Sequence, residues 1–167
     1  MAYLSVPKIS HHLTFLHLSS PFIVDNCSHI SNLSFAITYL IFEITETTYI
    51  HNIEAVNHMI RFFHEKNIRI SMDDFGSGYS SLNTLKDILF DEVKIDKKFL
   101  SDKLTENGKI VLQEIFHLLK RTNKFIVCEG VETKEMVDFL VVEGCDELQG
   151  YYYYKPMEMA KFEQLIG

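Results

Sequence analysis

"IRISMDDFGSGYSSL", residues 68–82, joins a short apolar run to two neighbouring acids and a loop with two glycines. The run that ends at Met72 has the composition of a buried β-strand. Adjacent carboxylates repel each other and add little to a core, so Asp73 and Asp74 need an explanation. A polar turn is one explanation, since Asp before Gly is typical of turns. A functional strand end is the other, and the rest of the chain decides between them.

The pattern of a strand followed by a helix repeats along the chain. Amphipathic stretches at residues 52–67 and 108–121 alternate with strand-like runs, and Thr133 is placed to cap a further helix. We predict buried helix faces formed by Ile53, Val56, Ile60 and Phe63 in the first stretch and by Val111, Ile115, Leu118 and Leu119 in the second. The predicted strands are Ile9–Phe15, Leu40–Thr45, Ile68–Asp73, Glu92–Ile95, Phe125–Cys128 and Glu147–Tyr152. This alternation predicts an α/β fold with a parallel sheet and right-handed crossovers.

Charged and polar side chains follow the carboxyl ends of several predicted strands. In a (β/α)8 barrel these ends open onto one face, where functional residues lie. The residues concerned are Glu43, Asp73, Asp74, Lys94, Asp96, Glu129 and Gln149. This arrangement favours a barrel over a doubly wound sheet. Because a barrel has eight strands and we find about six, we expect it to be incomplete.

Oxygen donors dominate this predicted rim, which favours Mg²⁺ or Mn²⁺ over zinc. Two such ions can bind a phosphodiester, activate a water and stabilise in-line displacement. Asp73 and Asp74 could bridge two ions if the strand relaxes at its end. Lys94 could orient the water, and Glu129 could be a ligand or a base.

Each of these residues also has a plainer interpretation. Glu43 could be a solvated acid at a strand end, and Lys94 a surface lysine or an ion-pair partner of Asp96. The histidines lack the H-E-x-x-H spacing of a metal site. The run of four tyrosines at residues 151–154 favours alternating core and surface aromatics over a platform for stacked bases.

The composition is that of one packed domain. The 167 residues are 47% hydrophobic with a net charge of -7, so we expect a single domain over residues 1–167. An acidic chain with a pI near 5.6 argues against DNA, RNA or an anionic membrane as general partners. Three widely spaced cysteines and the lack of a long apolar or leader-like segment favour a reduced, cytoplasmic protein.

Five motifs taken together resemble the EAL-domain family, the phosphodiesterases that linearise cyclic di-GMP. The resemblance runs from about residue 9 to the end and keeps the family's motif order. The motifs are FEITET (42–47), MDDFGSGYSSL (72–82), DEVKIDKKF (91–99), VCEGVET (127–133) and GCDELQGYYYYKP (144–156). The resemblance implies a modified (β/α)8 barrel and a Mg²⁺- or Mn²⁺-dependent hydrolysis of cyclic di-GMP to pGpG.

The resemblance also implies roles for the rim residues. Glu43 resembles the metal-binding glutamate of the family's E-x-T-E motif, and Asp73 with Asp74 resembles the metal-bridging pair. Lys94 matches the lysine that contacts the catalytic water. Glu129 matches the first glutamate of E-G-V-E, which lies near the metals and the water. We therefore expect Lys94, Glu129 and Asp74 to carry the catalysis.

A second group of residues resembles the family's substrate and loop positions. Glu46 is similar to the glutamate that steadies the glycine-rich loop, and Glu132 to the glutamate at the substrate rim. The full set is Glu46, Gly76, Gly78, Ser80, Asp96, Glu132 and Gln149. The implied small-molecule partner is cyclic di-GMP.

Two departures from the family pattern lower the expected activity. The E-A-L segment, which supplies a metal-binding glutamate, is absent, and we interpret the chain as N-terminally truncated. In "SHHLT" (10–14), His12 takes the place of an asparagine ligand, with His17 a poorer alternative. An imidazole is softer and titratable, so we expect an impaired two-metal site and weak or no turnover.

The expected gap in the barrel would leave strand edges open. Such edges favour a homodimer or a protein partner. A catalytically silent EAL-like module that binds a protein or cyclic di-GMP, and a fragment without a selected function, are the alternatives to an active phosphodiesterase.

Overall fold

The computed structural model describes residues 41–45, 53–76, 81–100, 105–158, 161 and 164. Within these residues, one sheet contains five parallel strands in the order of the chain. The strands are β1 (Ile41–Thr45), β2 (Arg69–Phe75), β3 (Glu92–Ile95), β4 (Phe125–Cys128) and β5 (Glu147–Leu148). Sequential parallel strands with intervening helices are the arrangement of a (β/α)8 barrel, so the predicted fold class is confirmed. The predicted strand Ile9–Phe15 lies outside the described residues.

Helices connect the strands and cover one face of the sheet. They are α1 (Ile53–His64), α2 (Ser81–Asp87), α3 (Glu106–Arg121) and α4 (Lys134–Glu143), with a short 3-10 helix at Lys97–Leu100. In α4, Thr133 accepts a hydrogen bond from Met136 N at 3.3 Å, which confirms the predicted cap. Gly144 ends the helix with φ of 80°, a conformation that glycine adopts without strain. None of the helices in the described ranges combines the length and the apolarity that a membrane crossing requires.

The buried face was predicted correctly for most of one helix and only in part for another. Helix α1 buries Val56, Ile60 and Phe63 as expected, although Ile53 is exposed at its first turn. Helix α3 buries Leu112, Phe116 and Leu119, so of the predicted set Leu119 is buried and Ile115 packs against the core, whereas Val111 and Leu118 are exposed. Apolar residues are adjacent in pairs along α3, so the stripe is too wide for periodicity to locate its centre. The Phe116 ring is fully buried at the centre of this face.

The two faces of the sheet differ in character. Residues such as Ile70, Val93 and Ile126 pack into the apolar core beneath the helices. The opposite face carries polar residues in register. Glu43 of β1 pairs with Ser71 of β2, and Ser71 pairs in turn with the first residue of β3. In a barrel this opposite face is the interior, and its upper end opens at the rim.

Strand β5 is shorter than the sequence predicted. It ends at Leu148, and the chain then turns at residues 151–153. Tyr152 N donates to Val131 O at 3.0 Å and Tyr153 N to Gly150 O at 3.2 Å, which bends the chain away from the sheet. All four tyrosines are exposed, so the predicted alternation of core and surface aromatics was wrong.

Candidate active site

A single buried lysine organises the carboxyl ends of the strands. The Lys94 ammonium lies 2.6 Å from Glu129 Oε1, 2.9 Å from Glu43 Oε1 and 3.4 Å from Asp73 Oδ1. The Lys94 side chain is only 9% exposed, and the three acids are more open to solvent. Four strands therefore bring one cation and three carboxylates to one point. When all are ionised, the cluster carries two more negative charges than positive ones.

The surroundings shift the ionisation of both members of the shortest ion pair. Burial by itself would lower the pKa of Lys94, but hydrogen bonds to Glu129 and Glu43 and the nearby negative charges outweigh it and raise that pKa. Burial raises the pKa of Glu129, and the charges of Asp73 and Glu43 add to this effect against the opposing pull of Lys94. Lys94 thus stays charged at neutral pH, while Glu129 holds a proton more readily than an ordinary glutamate.

A bulge in β2 separates the two neighbouring aspartates. Met72 pairs with Val93 and Phe75 with Ile95, so two residues of β2 stand opposite one residue of β3. Asp74 is the second of these two and has φ of 58°, in the left-handed region. Its backbone N–H donates to Asp73 Oδ1 at 3.0 Å. The bulge is the relaxation that would allow both acids to reach the rim.

Asp74 is directed toward a different partner from Asp73. Desolvation first, then the charges of Asp73 and Asp96 and hydrogen bonding to Asp96, raise the pKa of Asp74. Asp96 is buried and also accepts the backbone N–H of Lys98 at 2.8 Å, which begins the 3-10 helix. The rim therefore holds a second acidic pair beside the Lys94 cluster.

The loop after β2 starts at a tightly packed glycine. Gly76 has φ of 89°, and the ring of Phe99 covers the place that a side chain would take. The other predicted loop residues, Glu46, Gly78 and Ser80, lie outside the described residues, as does His12. Gly76 therefore fixes where the loop leaves the sheet.

Glu132 and Gln149 are exposed at the same end of the molecule but outside the Lys94 cluster. Gln149 takes part through its backbone, since its N–H donates to Cys128 O at 2.9 Å and its carbonyl accepts from Val131 N at 3.1 Å. The structure thus brings Glu43, Asp73 and Glu129 to Lys94 and leaves the other described residues around them.

Two glycines that were not among the predicted site residues pack the loops of the site closely together. A side chain at Gly130, which has φ of 67°, would meet Lys97 Cβ at 2.4 Å, and one at Gly150 would meet Val131 O at 2.2 Å. Both glycines directly follow a predicted site residue, in E-G-V-E and in Q-G-Y. That spacing is the signal that could have identified them, because glycine next to a functional residue often permits a close backbone approach.

The donor chemistry of the rim fits a hard divalent cation. Glu43, Asp73, Asp74 and Glu129 offer only carboxylate oxygens, the ligands that Mg²⁺ and Mn²⁺ prefer. The excess of negative charge around Lys94 favours bound cations. In the described part of the chain, no group of three or more Asp, Glu, His or Cys side chains is arranged to hold a metal ion directly. The Lys94 ammonium itself lies between the carboxylates.

Comparison with known proteins identifies the domain. The EAL domain family matches residues 4–156. The cyclic di-GMP phosphodiesterase NbdA of Pseudomonas aeruginosa is 30% identical over 146 residues, which cover 86% of this chain and 19% of that protein. The bifunctional diguanylate cyclase/cyclic di-GMP phosphodiesterase MucR of the same organism is 37% identical over 131 residues, covering 78% of this chain and 19% of MucR. The chain spans less than a third of the length of the first curated relatives that it matches, at 18%, 19% and 30%.

Solved structures show the same fold. The EAL domain of Mycobacterium smegmatis DcpA superposes with a TM-score of 0.79 at 26% identity, covering 89% of this chain and 67% of that one. The PaMucR phosphodiesterase in complex with c-di-GMP gives a TM-score of 0.74 at 32% identity, covering 86% and 59%. With a family match over most of its length and these relatives, the chain belongs to the EAL domain family.

Proposed function

We propose that the chain binds cyclic di-GMP and hydrolyses one of its phosphodiester bonds to give pGpG, with Mg²⁺ or Mn²⁺ as cofactor. The observation that carries the proposal is the Lys94 cluster, in which three strand-end carboxylates share one ammonium group. One carboxylate would suffice to neutralise the charge of one lysine. The surplus of acids is explained by cations that come with the substrate site.

Divalent ions held by Glu43, Asp73, Asp74 and Glu129 would supply Lewis-acid activation of the phosphodiester and of water. The chain's own residues have distinct tasks. Lys94 keeps its proton and can hold a water or a non-bridging phosphate oxygen by hydrogen bonding, but it cannot act as a base. The Glu129 carboxylate, whose pKa is raised, is suited to accept a proton from the attacking water at its Oε atoms.

We expect slow turnover from this chain. The family's asparagine ligand is replaced by His12, and a softer nitrogen donor suits Mg²⁺ poorly. Mn²⁺ accepts nitrogen donors more readily, so Mn²⁺ should support a higher rate than Mg²⁺.

The test is to incubate the purified chain with cyclic di-GMP and either metal and to follow pGpG by chromatography. Asp73→Asn should abolish pGpG formation because it removes a charged donor from the cluster. Asp138→Asn is the matched control, since Asp138 lies on α4 in an exposed ion pair with Lys134. Loss of activity in the control as well, or none in Asp73→Asn, would contradict the assigned site.

A cyclic di-GMP receptor without turnover is the second candidate. It is favoured by the position of Lys94, whose ammonium takes up the space between the carboxylates. Binding of cyclic di-GMP by calorimetry with no pGpG after prolonged incubation with Mn²⁺ would establish it. We also propose that a homodimer or a protein partner covers the edges of the sheet, which sedimentation of the purified chain would show.

A further inference from the structure

We propose that Gly150 is a positioning residue that sets the distance between Glu129 and Lys94. This inference rests on the proposed function, in which Glu129 and Lys94 act together. The segment after β4 carries Glu129 at one end and Glu132 at the other, with the fully buried Val131 between them. Glu129 is tied to β3 through its own N–H, which donates to Ile95 O at 3.1 Å, and Val131 is the buried anchor of the rest of the segment.

Three backbone hydrogen bonds join the end of β4 and this segment to the chain beyond β5. Gln149 N donates to Cys128 O at 2.9 Å, Val131 N donates to Gln149 O at 3.1 Å, and Tyr152 N donates to Val131 O at 3.0 Å. Both backbone polar groups of Val131 are thus engaged by residues on either side of Gly150. The pairing continues where the regular strand has ended.

The pairing is so close that only glycine fits at position 150. A Cβ there would lie 2.2 Å from Val131 O and 2.3 Å from Val131 N, well inside the 3.0 Å that real Cβ atoms keep. These neighbours are backbone atoms, so they cannot turn aside as a side chain would. Gly150 is not among the glycines with positive φ, so alanine would be tolerated by its own backbone. Its effect would come from the contact alone.

An added methyl group must therefore displace the Val131 backbone by roughly 1 Å, a shift large enough to disturb a catalytic arrangement. Glu129 lies two residues away, and its 2.6 Å contact with Lys94 would be lengthened or lost. Glu43 reaches the same ammonium from β1, so its 2.9 Å contact should survive. These two of the three carboxylate contacts of Lys94 thus provide an internal comparison.

Zero-length carbodiimide cross-linking followed by peptide mapping tests the proposal without any metal. Lys94 should couple to both Glu129 and Glu43 in the wild-type chain. In Gly150→Ala the product with Glu129 should fall severalfold relative to the product with Glu43. Gly144→Ala is the matched control, because Gly144 has φ of 80° and ends α4 away from the site. It should lower stability without changing the product ratio.

An unchanged ratio in a folded Gly150→Ala chain would overturn the proposal. If that variant does not fold, Tyr152→Pro removes the amide that donates to Val131 O and should shift the ratio in the same direction. An unchanged ratio there would overturn the proposal equally.

Mn²⁺ binding, followed by the electron paramagnetic resonance of the free ion, separates this inference from the proposed function. Gly150→Ala should weaken binding about tenfold, as displaced supporting groups do at metal sites. If the wild-type chain binds no Mn²⁺, the proposed cofactor is wrong, and the cross-linking ratio still decides the role of Gly150.

Discussion

The two ends of the parallel sheet hold their acidic residues in opposite ways. At the amino end, Asp91 precedes β3 and accepts the backbone N–H of Ile70 at 2.8 Å. Asp146 precedes β5 and accepts that of Ile126 at 2.8 Å. Each aspartate side chain therefore adds one hydrogen bond between the residue before a strand and the neighbouring strand. At the carboxyl end, the acids around Lys94 outnumber the groups that could neutralise them.

This difference indicates that the acids at the two ends of the sheet have different roles. A groove at the amino end is lined by His64, Arg69, Phe125 and both of these aspartates, but its acids are already engaged by backbone amides. They act as hydrogen-bond acceptors that complete the sheet. The acids at the carboxyl end act as charges, and their excess supports the proposal that cations and substrate bind there.

The largest effect should come from removing the cation at the carboxyl end. Lys94→Met leaves three partly buried carboxylates without their counter-charge and should lower the free energy of unfolding by about 3 kcal/mol at pH 7.5 without divalent ions. The loss should shrink at pH 5 as the acids gain protons. Urea denaturation measures both values. Lys134→Met, at an exposed pair, should cause no measurable loss, and equal losses in the two variants would refute the contrast.

A smaller loss of stability is expected from a substitution at the amino end of the sheet. Asp91→Ala removes the acceptor for the Ile70 amide and for His64, which lies 2.8 Å away, and should cost about 2 kcal/mol in urea denaturation. Asp91→Asn should cost less, because its amide oxygen can still accept. If Asp91→Asn lowers the free energy of unfolding as much as Asp91→Ala, the charge of Asp91 matters as well. The proposed contrast between the two ends of the sheet would then be wrong.

Neutralising an acid at the carboxyl end should act in the opposite direction. Asp73→Asn keeps an acceptor for the Asp74 amide but relieves repulsion, so it should stabilise the chain by up to about 1 kcal/mol without divalent ions. Mn²⁺ should then raise the melting temperature of the wild type more than that of the variant. Thermal scans with and without Mn²⁺ measure this. If Asp73→Asn is less stable than the wild type in metal-free buffer, repulsion among the carboxylates does not destabilise the site.

The smallest expected effect is on the pH dependence of the free energy of unfolding. The pKa of Glu129 in the folded chain is raised above its ordinary 4.5, so the folded state binds the proton more tightly than the unfolded one. Its contribution is present at low pH and is lost as the pH rises through the raised value. The free energy of unfolding should therefore fall, by no more than about 1 kcal/mol, as the pH increases from 4.5 toward neutral. Glu129→Gln should flatten this slope, and an unchanged slope would assign the effect elsewhere.

Much of the fold could be predicted because buried parallel strands leave a local signal. Strands β1 to β4 were located to within two residues by their apolar runs, and Thr133 by its place before an amphipathic stretch. Strand β5 was predicted too long, because tyrosines favour strands locally while the bonds of Val131 to the chain beyond β5 turn it. The buried face of α3 was predicted only in part because its apolar stripe is wide.

The candidate site could be predicted in its residue types but not in its pairing. The amino-acid sequence alone does not distinguish the roles of Asp73 and Asp74. The bulge nevertheless places Asp73 beside Lys94 and Asp74 beside Asp96. The aspartates before β3 and β5 were not recognised either. Their role depends on which strand lies alongside, and that is a long-range property.

By itself, the sequence determined the alternation of strands and helices, the ordered motifs of the EAL domain family and a set of oxygen donors at strand ends. Each of these depends on local composition or spacing. Only the tertiary structure decided that Glu43, Asp73 and Glu129 converge on one ammonium group and that Gly150 lies against the Val131 backbone. Those facts follow from the register between strands distant in the chain, which the hydrogen bonds of the whole sheet establish together.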